Sequence, residues 1–347
     1  MKKNSKTSVG VVGLGIMGSA MAGNLLRAGF AVHGYDVSAA PLKTFKRAGG
    51  IPETSPAALA SRASILITSL PSASALHAVA KAIKGKGRVI LETSTLPIED
   101  KLLAKEAFRK NGVTLLDCPL SGTGAQAKVK DLVVLGSGDR KAFERTKQVL
   151  EGFSRVHYYL GEFGNGSRMK FVANLLVAIH NVSAAEAFVL GMKAGLSPEM
   201  IYKVAGDGAG SSRMFQVRGP QMVAGRYDDA AMKVEVWQKD MKIIGEFAAS
   251  LGVATPLFNV SGALYNAAMA QGFAKDDTAA VCAVLERLSG VNSRPGHGEP
   301  EQRSSAAPKP RTRSQAAAPG PRVPSKAATR GSARSAPPRK RAHRAGR

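Results

Sequence analysis

The run Ser8-Val9-Gly10-Val11-Val12 leads directly into Gly13-Leu14-Gly15-Ile16-Met17-Gly18. Three glycines at the spacing G-x-G-x-x-G, between a β-branched run and a helical pattern, restrict the chain to a small set of folds. Each glycine answers a different demand: Gly13 a tight turn, Gly15 close approach of a diphosphate to the backbone, and Gly18 close packing of helix on strand. The N–H groups at the helix start, with the helix dipole behind them, suit an anion. The helical pattern runs from about Met17 to Ala28 and is closed by Gly29, and a second β run, 31–35, completes the unit. Asp36 stands at the end of that run, where a carboxylate accepts from a ribose 2′-hydroxyl and repels a 2′-phosphate. The next basic residue is Lys43, so NAD is the expected ligand and NADP the alternative. A competing reading makes Asp36 a turn or N-cap residue of the next helix.

The alternation continues with helices near 40–48, 73–81, 98–110 and 140–150, and strands at 65–69, 88–92, 114–118 and 132–136. This spacing predicts an N-terminal α/β domain over 1–165, a Rossmann-type doubly wound and mostly parallel sheet. From Gly166 the β signal stops, and helical patterns at 166–194, 198–205, 214–222, 237–251, 256–271 and 277–288 predict an all-α domain over 166–292. The remainder, 293–347, holds fourteen Lys and Arg against two Glu, which is half of the chain's net charge of +24. Ala, Pro, Ser and Gly fill the rest, so it lacks the apolar side chains to offset its ordering entropy and is expected to be disordered. Two readings of such an arm stand side by side: non-specific polyanion binding through counterion release, and a solubilising extension with no partner.

Two lone cysteines, Cys118 and Cys282, make neither a disulfide framework nor a zinc site and point to a reducing, cytoplasmic setting. Lys2, Lys3 and Lys6 before an apolar run imitate a signal peptide, but glycines at 10, 13, 15 and 18 break the helical core such a peptide needs. The stretch 171–192 is interrupted by Asn174, His180, Asn181, Ser183 and Glu186, so no membrane span is expected. His33, His77, His157 and His180 have no metal-ligand spacing, and no metal is expected. The loop Gly206 to Arg213 could close on a ligand, but a plain interhelical turn accounts for it.

The stretch Val11 to Leu25 resembles the N-terminal signature of the β-hydroxyacid dehydrogenases beyond its glycines, at Met17, Met21 and Asn24. Asp117-Cys118-Pro119-Leu120-Ser121-Gly122 is similar to that family's substrate-binding segment, Gly164 to Asn174 to its catalytic segment, and Lys239-Asp240 to its C-terminal lysine motif. The likeness covers about 8–290. It implies Lys170 as catalytic lysine with Asn174 one turn later, and Ser121 and Gly122 as holders of the substrate carboxylate. It also implies Leu70, Pro71 and Thr95 beside the nicotinamide, with Lys239 reaching in from the second domain. Where the family often has a second glycine, this chain has Thr123, which would narrow the pocket or add a hydroxyl contact. Glycines 164 and 166 are expected to leave the start of the catalytic helix open to ligands.

The resemblance implies NAD-dependent oxidation of a short β-hydroxy acid such as 3-hydroxyisobutyrate to its semialdehyde, or the reverse. Such a reaction needs a base for the hydroxyl proton as hydride leaves, and Lys170 suits if burial and nearby positive charge lower its pKa. Asn174, at i+4, lies on the same helix face. A homodimer or homotetramer is expected. The rival reading is a non-catalytic scaffold that binds nucleic acid through the basic arm.

Overall fold

The structure is a computed structural model that describes residues 7–291. The chain opens with β1 (Ser8–Val12), α1 (Ile16–Arg27), β2 (Ala31–Tyr35), α2 (Ala39–Arg47), β3 (Ile51–Pro52) and α3 (Pro56–Arg62). It continues with β4 (Ile65–Thr68), α4 (Ala73–Ala82), β5 (Arg88–Glu92), α5 (Ile98–Lys110) and β6 (Val113–Asp117). These six strands form one parallel sheet in the order β3-β2-β1-β4-β5-β6. The central strands are continuous apolar runs because helices cover both faces, as a parallel sheet requires. The order reverses between β1 and β4, so the loops after these strands diverge and leave a crevice at their carboxyl ends. The glycine turn lies there.

A second, three-stranded sheet follows: β7 (Leu120–Ser121), α6 (Gly124–Lys128), β8 (Val133–Gly136), α7 (Arg140–Arg145), α8 (Lys147–Phe153) and β9 (Val156–Tyr159). Here the chain departs from the expected pattern. The single helix expected over 140–150 is broken at Thr146, whose buried hydroxyl donates to the Phe143 carbonyl at 2.7 Å. Strand β9, Val-His-Tyr-Tyr, pairs parallel to β8 but has no buried residue, so it lacks the apolar pattern that would mark it.

The remainder is helical: α9 (Asn165–Lys193), α10 (Pro198–Asp207), α11 (Arg213–Ala224), α12 (Val234–Ser250), α13 (Pro256–Ala270) and α14 (Val281–Leu288). By length and apolarity α9 could cross a membrane. Instead it is the spine of this part, with Phe171, Ala178, Val182, Ala185 and Phe188 buried against Phe215, Trp237 and Tyr265. Asn181 ties it laterally, donating to Tyr265 Oη at 3.0 Å and to the Thr278 carbonyl at 2.8 Å. The basic segment 293–347 lies outside the described residues.

Three fully buried ionised side chains join the sheet to α9. Lys101 Nζ of α5 lies 2.6 Å from Glu92 Oε2 at the end of β5 and 2.8 Å from Asp117 Oδ1 at the end of β6. Asp117 also receives the Ser167 amide and hydroxyl, each at 2.8 Å, and so caps the first turn of α9. Burial alone would push the Lys101 pKa down, but the attraction of Asp117 and then of Glu92 outweighs it and holds the ammonium well above the ordinary lysine value. Removing one member of such a set leaves an uncompensated buried charge. Lys101→Met should therefore lower the unfolding free energy by about 3–5 kcal/mol, read from urea denaturation; a loss below about 1 kcal/mol would show that the network relaxes without its cation.

Candidate active site

The glycine turn is built as its spacing requires, though not all its parts face a ligand. Gly13 has φ +89°, and a Cβ on it would stand 2.2 Å from the Ser69 carbonyl oxygen. A Cβ on Gly18 would stand 1.9 Å from the Gly13 carbonyl oxygen, whereas one on Gly15 would meet nothing within 4 Å. Two of the glycines are therefore demanded by the protein's own packing, and the third leaves open space at the N-terminus of α1. Gly15 caps that helix with no side-chain hydrogen bond, and the first turn, Ile16, Met17 and Gly18, contains no acid. These features fit a dinucleotide diphosphate. Leu14 is placed differently from the rest of the loop, since its side chain is buried in the core and its amide donates to Asp36 Oδ2 at 2.7 Å.

Asp36 takes the turn role considered for it. Its second oxygen accepts from the Ser38 amide at 2.8 Å, so the carboxylate pins the glycine turn to the start of α2. Each oxygen keeps a further lone pair for a ribose hydroxyl. Across the crevice, the Leu70 amide donates to Ser94 Oγ at 2.8 Å, which orders the Leu70-Pro71 loop. Lys239 of α12 donates to the Thr95 carbonyl at 3.0 Å, so these two expected site residues are brought together from the two parts of the fold.

The start of α9 is closed, which corrects the expectation that its glycines admit a ligand. A Cβ on Gly166 would lie 2.2 Å from the Leu135 carbonyl oxygen and 2.8 Å from that of Asp117, while its amide donates to Ser137 Oγ at 3.0 Å. Gly164, at φ +97°, is the left-handed entry to the helix. Both glycines serve the seating of α9 on the strand ends. One turn further on, Lys170 and Asn174 face a cavity of about 380 Å³, with Ser121, Gly122 and Thr123 from the β7–α6 turn on its wall. Thr123 spends its polar groups locally: its amide donates to Gln126 Oε1 at 2.9 Å and its hydroxyl to the same oxygen at 3.3 Å, capping α6.

Lys170 and Asn174 are both buried. Asn174 Nδ2 donates to Asp240 Oδ2 at 2.8 Å, and Lys239 Nζ lies 3.8 Å from Asp240 Oδ1. Burial pushes the Lys170 pKa down; Asp240 opposes the shift and Lys239 adds to it. Burial likewise raises Asp240, against the pull of Lys239, Lys170 and the Asn174 amide. Asp240 thus orients the asparagine and tunes the lysine, a role that its place beside Lys239 in the sequence did not disclose. Trp237, one turn before it, also lines the cavity, as do Arg213 and Arg218 of α11. Trp237 is the chain's one tryptophan and lies at i+3 from Asp240, a spacing that could have placed it on the same face.

Comparison with known proteins fits this geometry. Residues 8–161 match the NAD-binding domain of 6-phosphogluconate dehydrogenase. Residues 164–285 match the NAD-binding domain of NADP-dependent 3-hydroxyisobutyrate dehydrogenase, so the two matches meet just before α9. L-threonate dehydrogenase of Cupriavidus necator is 32% identical over 285 residues, which are 80% of this chain and 96% of that one. Mitochondrial 3-hydroxyisobutyrate dehydrogenase of Rattus norvegicus is 31% identical over 80% of this chain and 86% of its own length. Among solved structures, 3-hydroxyisobutyrate dehydrogenase from Salmonella typhimurium superposes with a TM-score of 0.73 at 29% identity, covering 80% of this chain and all of that one. The likeness extends through both the sheet that carries the glycine turn and the helices that carry the buried lysine, and the chain belongs to the β-hydroxyacid dehydrogenase family.

Proposed function

We propose that this enzyme oxidises a short β-hydroxy acid, of the 3-hydroxyisobutyrate kind, to its semialdehyde or catalyses the reverse reduction, with Lys170 as general acid and base. The observation that carries this reading is the buried, depressed-pKa Lys170 in a cavity shared with Ser121 and Gly122. Relatives at about 30% identity are named for different hydroxy acids and semialdehydes, among them L-threonate, 2-(hydroxymethyl)glutarate and glyoxylate or succinic semialdehyde. The dinucleotide, when bound, supplies the hydride acceptor. Asp36, with no basic residue before Lys43, supports NAD over NADP.

Ser121 and Gly122 hold the substrate carboxylate at the β7–α6 turn. With the substrate so anchored, the amine of Lys170 takes the hydroxyl proton as hydride departs, and the ammonium returns it to the carbonyl in reduction. Among the described residues nothing hydrogen-bonds the Lys170 ammonium, which leaves it available for the reacting oxygen. Asn174, held by Asp240, steadies that oxygen or the lysine. Burial favours the neutral amine, and Asp240 prevents it from becoming too weak a base.

A row of exposed apolar residues on α9, Met169, Val172, Leu176 and Leu190, together with Leu257 and Val260 on α13, supports assembly as a homodimer or homotetramer. Two buried thiols are consistent with a cytoplasmic setting. The scaffold alternative finds no support: Lys170 is present in the expected segment, and the relatives compared above are named as dehydrogenases.

Three measurements test these assignments. Lys170→Ala should lower kcat for hydroxy-acid oxidation by about 10²–10⁴-fold while NADH titration remains unchanged; near-wild-type turnover would remove Lys170 from the chemistry. Oxidation needs the neutral amine, so its rate rises with pH through the Lys170 pKa. Asp240→Asn removes a charge that raises this pKa, and the rising, low-pH limb of kcat should move to lower pH; movement upward would assign the limb to another group. Light scattering of the purified chain should give twice or four times the 36.2 kDa of one copy, and a monomer would leave the α9 and α13 faces unexplained.

A further inference from the structure

The cavity of Lys170 has a second group of charged side chains that the proposed chemistry does not use. It begins at the substrate turn, where Gln126, bound to Thr123, donates through Nε2 to Asp131 Oδ2 at 3.2 Å. Arg155 Nε donates to Asp131 Oδ1 at 2.7 Å. Across the cavity, Arg213 Nη2 stops 3.8 Å from Asp131 Oδ2, too far for a hydrogen bond. All four side chains line the same cavity.

One carboxylate therefore faces two guanidinium groups. The Arg155 hydrogen bond, then that of Gln126, holds the Asp131 carboxyl below the ordinary carboxylate range, so it stays ionised. The cluster then carries one uncompensated positive charge. Arg218, the other arginine on the wall, does not add to it, because buried Asp277 accepts from its Nε at 2.8 Å. The excess belongs to Arg213: among the described residues its guanidinium makes no hydrogen bond. It sits at the first position of α11, where the helix N-terminus adds partial positive charge. A further donor faces the same need. Trp237 lines this cavity, and its buried indole N–H has no partner among the described residues.

A hydroxy acid with an apolar tail would leave the buried Trp237 N–H unsatisfied, at a cost in free energy, and would gain nothing from the exposed Arg213 guanidinium. An anionic tail would satisfy them and cancel the excess charge. Resting on the dehydrogenase reading above, we infer that the preferred substrate is a dianion: a β-hydroxy acid whose second anionic group, carboxylate or phosphate, is bound by Arg213. Arg213 is then the specificity-determining residue, with Arg155 and the Trp237 N–H as supporting donors. A planar guanidinium fork suits either anion, and a lysine would not replace it.

The test is NAD-linked turnover of two matched pairs of acids by the full chain. 2-(Hydroxymethyl)butyrate against 2-(hydroxymethyl)succinate forms the carboxylate arm, and erythronate against 4-phosphoerythronate the phosphate arm. The dianion of at least one pair should exceed its monoanion in kcat/KM by about tenfold or more, the worth of one charged hydrogen bond. In Arg213→Gln this ratio should fall towards one, with NADH titration confirming a folded cofactor site. Monoanions used as well as both dianions, or a ratio unaltered in Arg213→Gln, would overturn the dianion assignment and leave the dehydrogenase reading standing. Failure of all four acids, and of 3-hydroxyisobutyrate besides, would overturn both.

Discussion

The ammonium of Lys101, sealed between Glu92 and Asp117 with no solvent contact, is the interaction on which the arrangement of the active site depends. Glu92 and Asp117 end adjacent parallel strands, and Asp117 receives the first-turn amide and hydroxyl of Ser167. The carboxylate thus ties three elements at one point: strand β6, helix α5 through its lysine, and the helix that carries Lys170 one turn beyond Ser167. The trio has one negative charge in excess when all three groups are ionised. The N-terminus of α9 faces it with partial positive charge, so the helix supplies compensation that a water molecule would otherwise provide. An apolar replacement could fill the same volume, but it could not specify the axial position of α9. An asparagine at i+4 from a lysine is useful only if that position is held.

The two buried lysines show how neighbours decide what a residue type does. Lys101 has two carboxylates in direct contact and is held above its ordinary pKa, which makes it a permanent cation. Lys170 has one carboxylate at a distance and a second ammonium nearby, so burial prevails and its pKa falls. The first is shifted away from proton exchange and the second towards it. Perturbation in the direction of reactivity, in a cavity, marks the functional group, while perturbation away from it marks the structural one.

Much of this was legible in the residues because it depends on local pattern. Five of the six strands of the main sheet, the glycine turn, Asp36 and the Lys170–Asn174 spacing follow from periods of two or 3.6 and from what glycine alone permits, whereas the two-residue β3 is too short to show a period. What was not legible depends on groups distant along the chain. Lys101 and Asp117 are sixteen residues apart, and nothing in either local sequence distinguishes them from solvated charges. Gly166 was legible as a glycine but not in its purpose, because the carbonyl oxygens of Leu135 and Asp117 that exclude its Cβ come from other elements. Asp36 was legible as the acid that ends β2, yet its bonds to the Leu14 and Ser38 amides required the loop to be closed first. Strand β9 failed for a different reason: it is held by pairing to β8, and its exposed face left no apolar alternation to read.

The same division separates what can vary from what cannot. The glycine turn offers a dinucleotide mainly backbone, and Gly13 and Gly18 are excluded from bearing a side chain there by neighbouring carbonyl groups. The groups proposed for proton transfer, Lys170 and Asn174, sit on a helix whose position is set by a buried ionic network. Neither the turn nor the seat of that helix can change without disturbing the fold. The wall formed by the β7–α6 turn and the start of α11 is under no such constraint. Thr123 and Gln126 satisfy one another, Asp131 is partly exposed, and Arg213 is more than two-thirds exposed, with a side-chain accessibility of 68%. Residues there can be exchanged at little cost in stability, since surface substitutions away from buried networks usually move it by under about 0.5 kcal/mol. A family that keeps one reaction and takes many acids would be expected to carry its differences on such a wall, where identity is set by the ligand and not by the core.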